Sequence, residues 1–166
     1  MLKFFLLFLA ILLSLFAFEL TSPAQKLIVS PVTATVAKLS VSLITVFDSK
    51  VIAYDNVIQN QQNGFAVSIQ PGCNAIEACI VLIAAMLAFS APWRHKLKGL
   101  VLGIIAVQVV NIARIISLFY IGQWRMDIFD FAHLYLWQAL IMLDVLVVFL
   151  IWLRAMPIKP TVQNAA

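Results

Sequence analysis

In a chain this apolar, the residues able to do chemistry are few. Cys73, Glu77, Arg114, His133 and Asp144 lie within or at the ends of long apolar runs, with Gln108, Asn111 and Gln138 as neutral polar companions. Ionisable groups at such positions are costly in hydrocarbon and are functional candidates by default. A thiolate beside an imidazolium is a strong acyl-transfer nucleophile, and the imidazole can then protonate a leaving amine. A guanidinium in a low-dielectric site supplies a donor for the oxyanion of a tetrahedral intermediate. Cys73, His133 and Arg114 therefore form one coherent set, with Asn111 a turn before Arg114 placed to orient it or a substrate carbonyl.

Each residue also has a plainer reading. A cysteine in a membrane helix is usually an apolar filler, which is how Cys79 reads. Cys73 follows Pro71-Gly72 at an expected helix start, where free N–H groups and the helix dipole favour a thiolate. His133 near an interface can be a polar anchor, and His95, within the basic loop, reads as one. Arg114 could instead form a structural ion pair with Glu77.

The elements that must position these residues follow from composition. Of 166 residues, 64% are apolar and 11% charged, with a mean hydropathy of +1.05. That excludes a soluble globule, a disordered arm, a nucleic-acid-binding domain and a disulfide scaffold. The expected fold is an all-α integral membrane protein forming a single domain over 1–166. A helix needs about 20 apolar residues to span the bilayer, and four segments qualify: 2–18, 74–91, 99–121 and 131–153. The first could alternatively be a signal peptide, since Lys3 precedes the apolar run and Ser22-Pro23-Ala24 loosely resembles a cleavage site.

Orientation follows from the positive charges. Arg94, Lys96 and Lys98 lie in a short loop, and short loops rich in Lys and Arg stay cytoplasmic. Lys3, Arg154 and Lys159 are expected on that same side, so both termini are cytoplasmic. In 27–47, Val32, Val36, Leu39, Leu43 and Val46 recur at helical spacing beside a stripe of Thr35, Lys38, Ser42 and Thr45. This reads as an amphipathic extracytoplasmic helix. Residues 50–70 read as an extracytoplasmic β-hairpin whose second strand, Phe65–Gln70, alternates apolar and polar, with Asn63-Gly64 as a turn signal. The segment 157–166 reads as a flexible cytoplasmic tail.

Depth selects the residues that can meet. Cys73 and His133 both stand at the outer ends of their spans. Arg114 lies roughly 12 Å below the outer end of the third span, at 1.5 Å per residue, and can snorkel outward. Asp144 is too deep to join them. No Cys/His pair has metal-ligand spacing, so no metal and no cofactor are expected. A dithiol reading of Cys73 with Cys79 fails on geometry, because six residues place them about 240° apart around a helix.

Three ordered segments carry a resemblance: Pro71-Gly72-Cys73-Asn74-Ala75-Ile76-Glu77, Asn111-Ile112-Ala113-Arg114-Ile115 and Phe131-Ala132-His133. Over roughly 65–153 the chain resembles the exosortase/archaeosortase family, closest to the exosortase H subgroup. The resemblance implies a membrane-embedded cysteine peptidase or transpeptidase acting through a thioester acyl-enzyme. Cys73 would be its nucleophile, Arg114 its transition-state stabiliser and His133 its acid/base, with Asn74, Glu77 and Asn111 in support. It also implies substrate proteins bearing a C-terminal sorting signal (a short motif, a transmembrane helix and a basic tail), cleaved at the outer face of a bacterial inner membrane and transferred to an acceptor. Membrane lipid is a further partner and nucleic acid is not. Phe65, Val67 and Ile69, just ahead of Cys73, are the candidate substrate contacts. The chain departs from the family in having fewer spans ahead of the cysteine motif. It also has Asn74-Ala75 where many members carry Ser or Ala and then Gly. The competing class is a non-enzymatic membrane scaffold or assembly subunit built on a Glu77–Arg114 pair.

Overall fold

The computed structural model describes residues 2–156; the expected tail, 157–166, lies outside the described residues. In chain order the elements are helix α1 (Leu2–Glu19), helix α2 (Ser22–Ile44), strands β1 (Val51–Tyr54), β2 (Val57–Asn60) and β3 (Ala66–Ser68), and helices α3 (Ile76–Ala88), α4 (Trp93–Trp124) and α5 (Met126–Arg154). Helix α2 contains a π-helical stretch at Gln25–Val29, and α5 contains one at Ala132–Leu136. The molecule is a multi-pass, mainly helical membrane protein with a small antiparallel sheet.

Among the described residues four helices are long and apolar enough to cross a membrane, but their membership differs from the expected set. They are α1, α2, α4 and α5, whereas α3, within the expected 74–91 span, is shorter. The surroundings of α2 and α3 differ. Helix α3 runs antiparallel to α1, with Phe4 against Phe89 (ring centroids 5.9 Å apart) at one end and Glu19 beside Ile76 at the other. It is the central helix, packed also on α4 and α5. Helix α2 starts near the level of Cys79 and Gln108. It then lays Val36, Ala37 and Ile44 against the sheet and against Ile115 and Phe119 of α4.

Local sequence explains the breaks. At the entry to α2 the Thr21 hydroxyl accepts the Ala24 N–H, with Pro23 in the first turn. Helix α3 ends at an extended Phe89, and Pro92 caps the start of α4. The expected loop at 122–130 contracts to one extended residue, Arg125 (φ −151°, ψ 118°), between the helical bounds of α4 and α5.

Along α4 the buried residues Lys96, Gly99, Gly103, Val107, Asn111, Arg114 and Leu118 recur every three or four positions and make one stripe. A Cβ at Gly99 would lie 2.2 Å from the Trp152 ring, and one at Gly103 2.8 Å from Leu82. These two glycines, four apart, admit α5 and α3 to close packing. His95 stacks on Trp152 (5.1 Å), and the Trp152 indole N–H donates to the His95 carbonyl at 3.2 Å.

The sheet is a three-stranded meander, order β1-β2-β3, rather than a two-stranded hairpin. The Asn- and Gln-rich stretch ahead of the expected second strand, 55–64, contains β2, because Ile58 is fully buried in the core beneath α2. Val51 pairs with Asn60 and Ile58 with Val67. Asn60 and Asn63 both donate to the Gln123 side chain, at 3.1 and 2.8 Å, which ties the β2–β3 turn to the end of α4. Two apolar cores result. One joins α3, α4 and α5 around Leu82, Met86 and Val107; the other joins α2, the sheet and the last third of α4 around Ile58 and Phe119.

Candidate active site

Cys73 lies on the loop joining the sheet to α3, and the first helical residue is Ile76, three positions later. The loop turns on Gly72 (φ +87°) and on Ala75, which holds a left-handed φ of +59° although it is not glycine. Hydrogen bonds fix it. The Cys73 N–H donates to the Gln70 carbonyl at 2.9 Å, and the Gly72 N–H to Glu77 Oε1 at 2.7 Å. Buried Asn74 is the hub. Its Oδ1 accepts the Ile76 N–H (3.1 Å), its Nδ2 donates to Thr33 Oγ1 of α2 (3.0 Å), and its carbonyl accepts from Gln108 Nε2 of α4 (3.1 Å).

The structure brings the three principal candidates together. His133 Nε2 is 3.1 Å from Cys73 Sγ, and Arg114 Nη2 donates to the same sulfur at 3.7 Å. His133 sits in the π-helical stretch of α5, with its ring stacked on Phe129 (5.6 Å, 13° between planes). Such π segments are common at functional sites, because one extra residue per turn re-aims the side chains. Arg114 is 2% exposed and does not snorkel; its Nε and Nη1 atoms are buried without partners, as is Asn111 Oδ1. Asn111 Nδ2 contacts Gln108 Oε1 at 3.5 Å.

Two expectations change. Glu77 does not pair with Arg114: it receives the Gly72 N–H, and among the described residues the only ion pair is Arg125–Asp127. The scaffold reading thereby loses the pair on which it stood. Cys73 is also not at a helix N-terminus, and burial pushes its thiol above the ordinary value. The Glu77 charge adds to that rise, while Arg114 and the Gln70 hydrogen bond pull the other way. On balance these surroundings favour the thiol over the thiolate.

The remaining candidates stay apart. Cys79 is buried in the α3–α5 core and both cysteines are free. The Asp144 Oδ2 is buried without a partner, and Gln138 is exposed. Ile69 is buried in the second core, with Phe65 and Val67 half-buried against it. Thr33 and Phe129 also support the site, and Phe129 precedes His133 by one helical turn, a spacing visible in the sequence. Among the described residues no three His, Cys, Asp or Glu side chains gather as a metal site.

A cavity of about 300 Å³ opens over the sulfur. Residues 65–70 form one wall, Leu118, Met126 and Phe129 line it further, and Cys73, Arg114 and His133 reach into it. A thiol, an imidazole and a buried guanidinium converge on this cleft, a set whose chemistry suits attack on a carbonyl carbon. The transmembrane exosortase family model (Exosortase_EpsH) matches residues 2–152, so the chain belongs to the transmembrane exosortases. That match takes in α1 and α2 as well as the three motif segments. No curated protein and no solved structure matches the chain.

Proposed function

We propose that this exosortase is a cysteine peptidase or transpeptidase that removes C-terminal sorting signals from exported proteins. The observation carrying this reading is the convergence of His133 Nε2 and Arg114 Nη2 on the Cys73 sulfur, at 3.1 and 3.7 Å, on the floor of a cleft. As a substrate carbonyl approaches, His133 takes the thiol proton and the sulfur attacks the carbonyl carbon. Arg114 then donates to the oxyanion from a site where it is already desolvated, so little reorganisation is required. His133 returns the proton to the leaving amine, and a thioester to Cys73 remains. An acceptor nucleophile or water, deprotonated by His133, releases the acyl group.

The site belongs on the periplasmic side of a bacterial inner membrane, with both termini cytoplasmic. Arg114 stands roughly 30 Å along α4 from Trp93, at 1.5 Å per residue, about the thickness of the hydrocarbon core. With the basic first turn of α4 at the cytoplasmic face, Cys73 lies at the outer boundary. The sheet, α2 and the end of α4 then form a cap above it. The test is co-expression with an exported reporter that carries a short motif, one apolar helix and a basic tail drawn from proteins of the same genome. The wild type is expected to release the tail, and Cys73→Ala to leave the reporter whole at normal enzyme level. Cys79→Ala is expected to act like the wild type. Equal failure of both cysteine variants overturns the assignment.

A further inference from the structure

We infer that the free edge of β3 binds the substrate as an added strand, holding the residues just before the cleaved bond by main-chain hydrogen bonds. The inference rests on the function proposed above and specifies how its substrate is held.

The ladder shows which backbone groups are free. In antiparallel pairs, residues alternate between those bonded to the neighbouring strand and those turned away from it. The Phe65 carbonyl accepts the Asn60 N–H at 2.9 Å, and the Ile69 N–H donates to the Asn56 carbonyl at 2.8 Å. Phe65, Val67 and Ile69 therefore face β2, and Ala66 and Ser68 direct their N–H and C=O groups to the opposite edge. Among the described residues no strand occupies that edge, since β3 is the last strand of the sheet. Exposed edges invite pairing with another chain and are usually blunted by charge, proline or a covering element. Ala66-Val67-Ser68 carries neither charge nor proline. Ala66 and Ser68 are small, uncharged and exposed, and both line the cleft that contains Cys73.

Geometry also selects the direction. β3 runs toward Cys73, and the loop after Gln70 delivers the sulfur to the bottom of the cleft. A substrate anchored by a helix in the membrane has its residues before the cleaved bond on the outer side, alongside β3. That places the added strand parallel to β3, with alternate side chains facing the apolar wall of Leu118, Met126 and Phe129. The chemistry recognised is thus an extended segment, apolar at every second position. Phe65, Val67 and Ile69 then act as the packing that seats the strand on α2 and α4, and the recognition runs through the main chain.

The experiment uses the same reporter with the full-length enzyme. Ala66→Pro deletes one outward N–H and no bond to β2, because a proline is tolerated where the N–H of an edge strand faces outward. It is expected to slow tail release about three- to tenfold, the range for losing one such hydrogen bond. Ala66→Ser, which keeps the donor, is expected to slow it less. A second measurement does not depend on rate. In a Cys73→Ala background, Ala66→Cys is tested for disulfide trapping against single cysteines placed at successive reporter positions before the cleavage site. Trapping at every second position supports strand pairing. Trapping without alternation, or no trapping together with parental release by Ala66→Pro, overturns the inference even where Cys73→Ala abolishes release. A reporter left whole by the wild type takes down both this inference and the function on which it rests.

Discussion

The molecule contains two cores of different construction, and the nucleophile loop lies on the seam between them. The lower core, between α3, α4 and α5, is held by shape. Gly99 and Gly103 admit Trp152, Leu82 and Val148 to positions that a single methyl group would deny. The upper core, between α2, the sheet and the end of α4, is held also by polar side chains, among them Asn56, Asn60, Asn63 and Gln123. Ala75 and Cys79 belong to the lower core, and Cys73 packs on the upper one. Lipid offers no hydrophobic drive for helix association, so close packing of small residues must do the work there. Where water is near, hydrogen bonding specifies the arrangement. The site can therefore be disturbed from either side, and by different means.

The largest expected effect tests the seam itself. Arg114→Lys should lose tail release nearly as completely as Arg114→Ala, by about two orders of magnitude, as for loss of an oxyanion donor. Lysine keeps a positive charge but lacks the planar fork of donors. Near-normal release by the lysine variant would mean that charge alone suffices.

The next contrast separates the cores. Gly99→Ala drives a methyl group into the Trp152 ring, with no flexible neighbour to yield, and should cost about 1–3 kcal/mol of bundle stability. Thermal unfolding in detergent measures it. Gly122→Ala meets the Phe65 ring at 2.6 Å, and the end of a flexible side chain can move. It should unfold closer to the wild-type temperature but slow tail release, since Phe65 lines the cleft. The reverse ranking would erase the distinction between the two cores.

A smaller effect concerns the thiol. Its raised pKa means less thiolate at neutral pH than in free cysteine. Alkylation of Cys73 by a membrane-impermeant reagent should therefore keep accelerating above pH of about 8.5, where an ordinary thiol is already half ionised. His133→Ala should slow the reaction at pH 7 by removing the base. A plateau reached below the ordinary value would indicate a standing thiolate instead.

The smallest effect lies on the loop. Ala75 holds a left-handed conformation that costs a non-glycine residue about 1–2 kcal/mol, at the position where the resemblance expects glycine. Ala75→Gly should raise stability by about 1 kcal/mol at most, because the lost methyl group is buried in the lower core. A fall in the unfolding temperature would show that packing outweighs strain there.

Much of this was written in the sequence. The apolar runs determined a membrane protein, and the lone ionisable residues within them determined which side chains to watch. Cys73, Arg114 and His133 stood out because hydrocarbon tolerates so few such groups that each is conspicuous. Their order along the chain pointed to a meeting, but the expected route was wrong in one part, since Arg114 reaches the sulfur as a buried side chain and does not snorkel. Hydropathy does not encode neighbours, and that is where sequence reading stopped. Only the tertiary structure made α3 a short central helix and α2 a wall of the upper core, because an apolar face reads alike whether lipid or protein covers it. Ile58 drew a polar stretch into β2 by burying itself beneath α2, against the local composition. Glu77 took the Gly72 N–H rather than Arg114, because the turn at Gly72 brings that N–H back to the carboxylate. The π-helical stretch that aims His133 at the sulfur has no sequence signal of its own. One inserted residue changes the hydrogen-bond register without changing the apolar pattern, and only the packed surroundings decide where it falls.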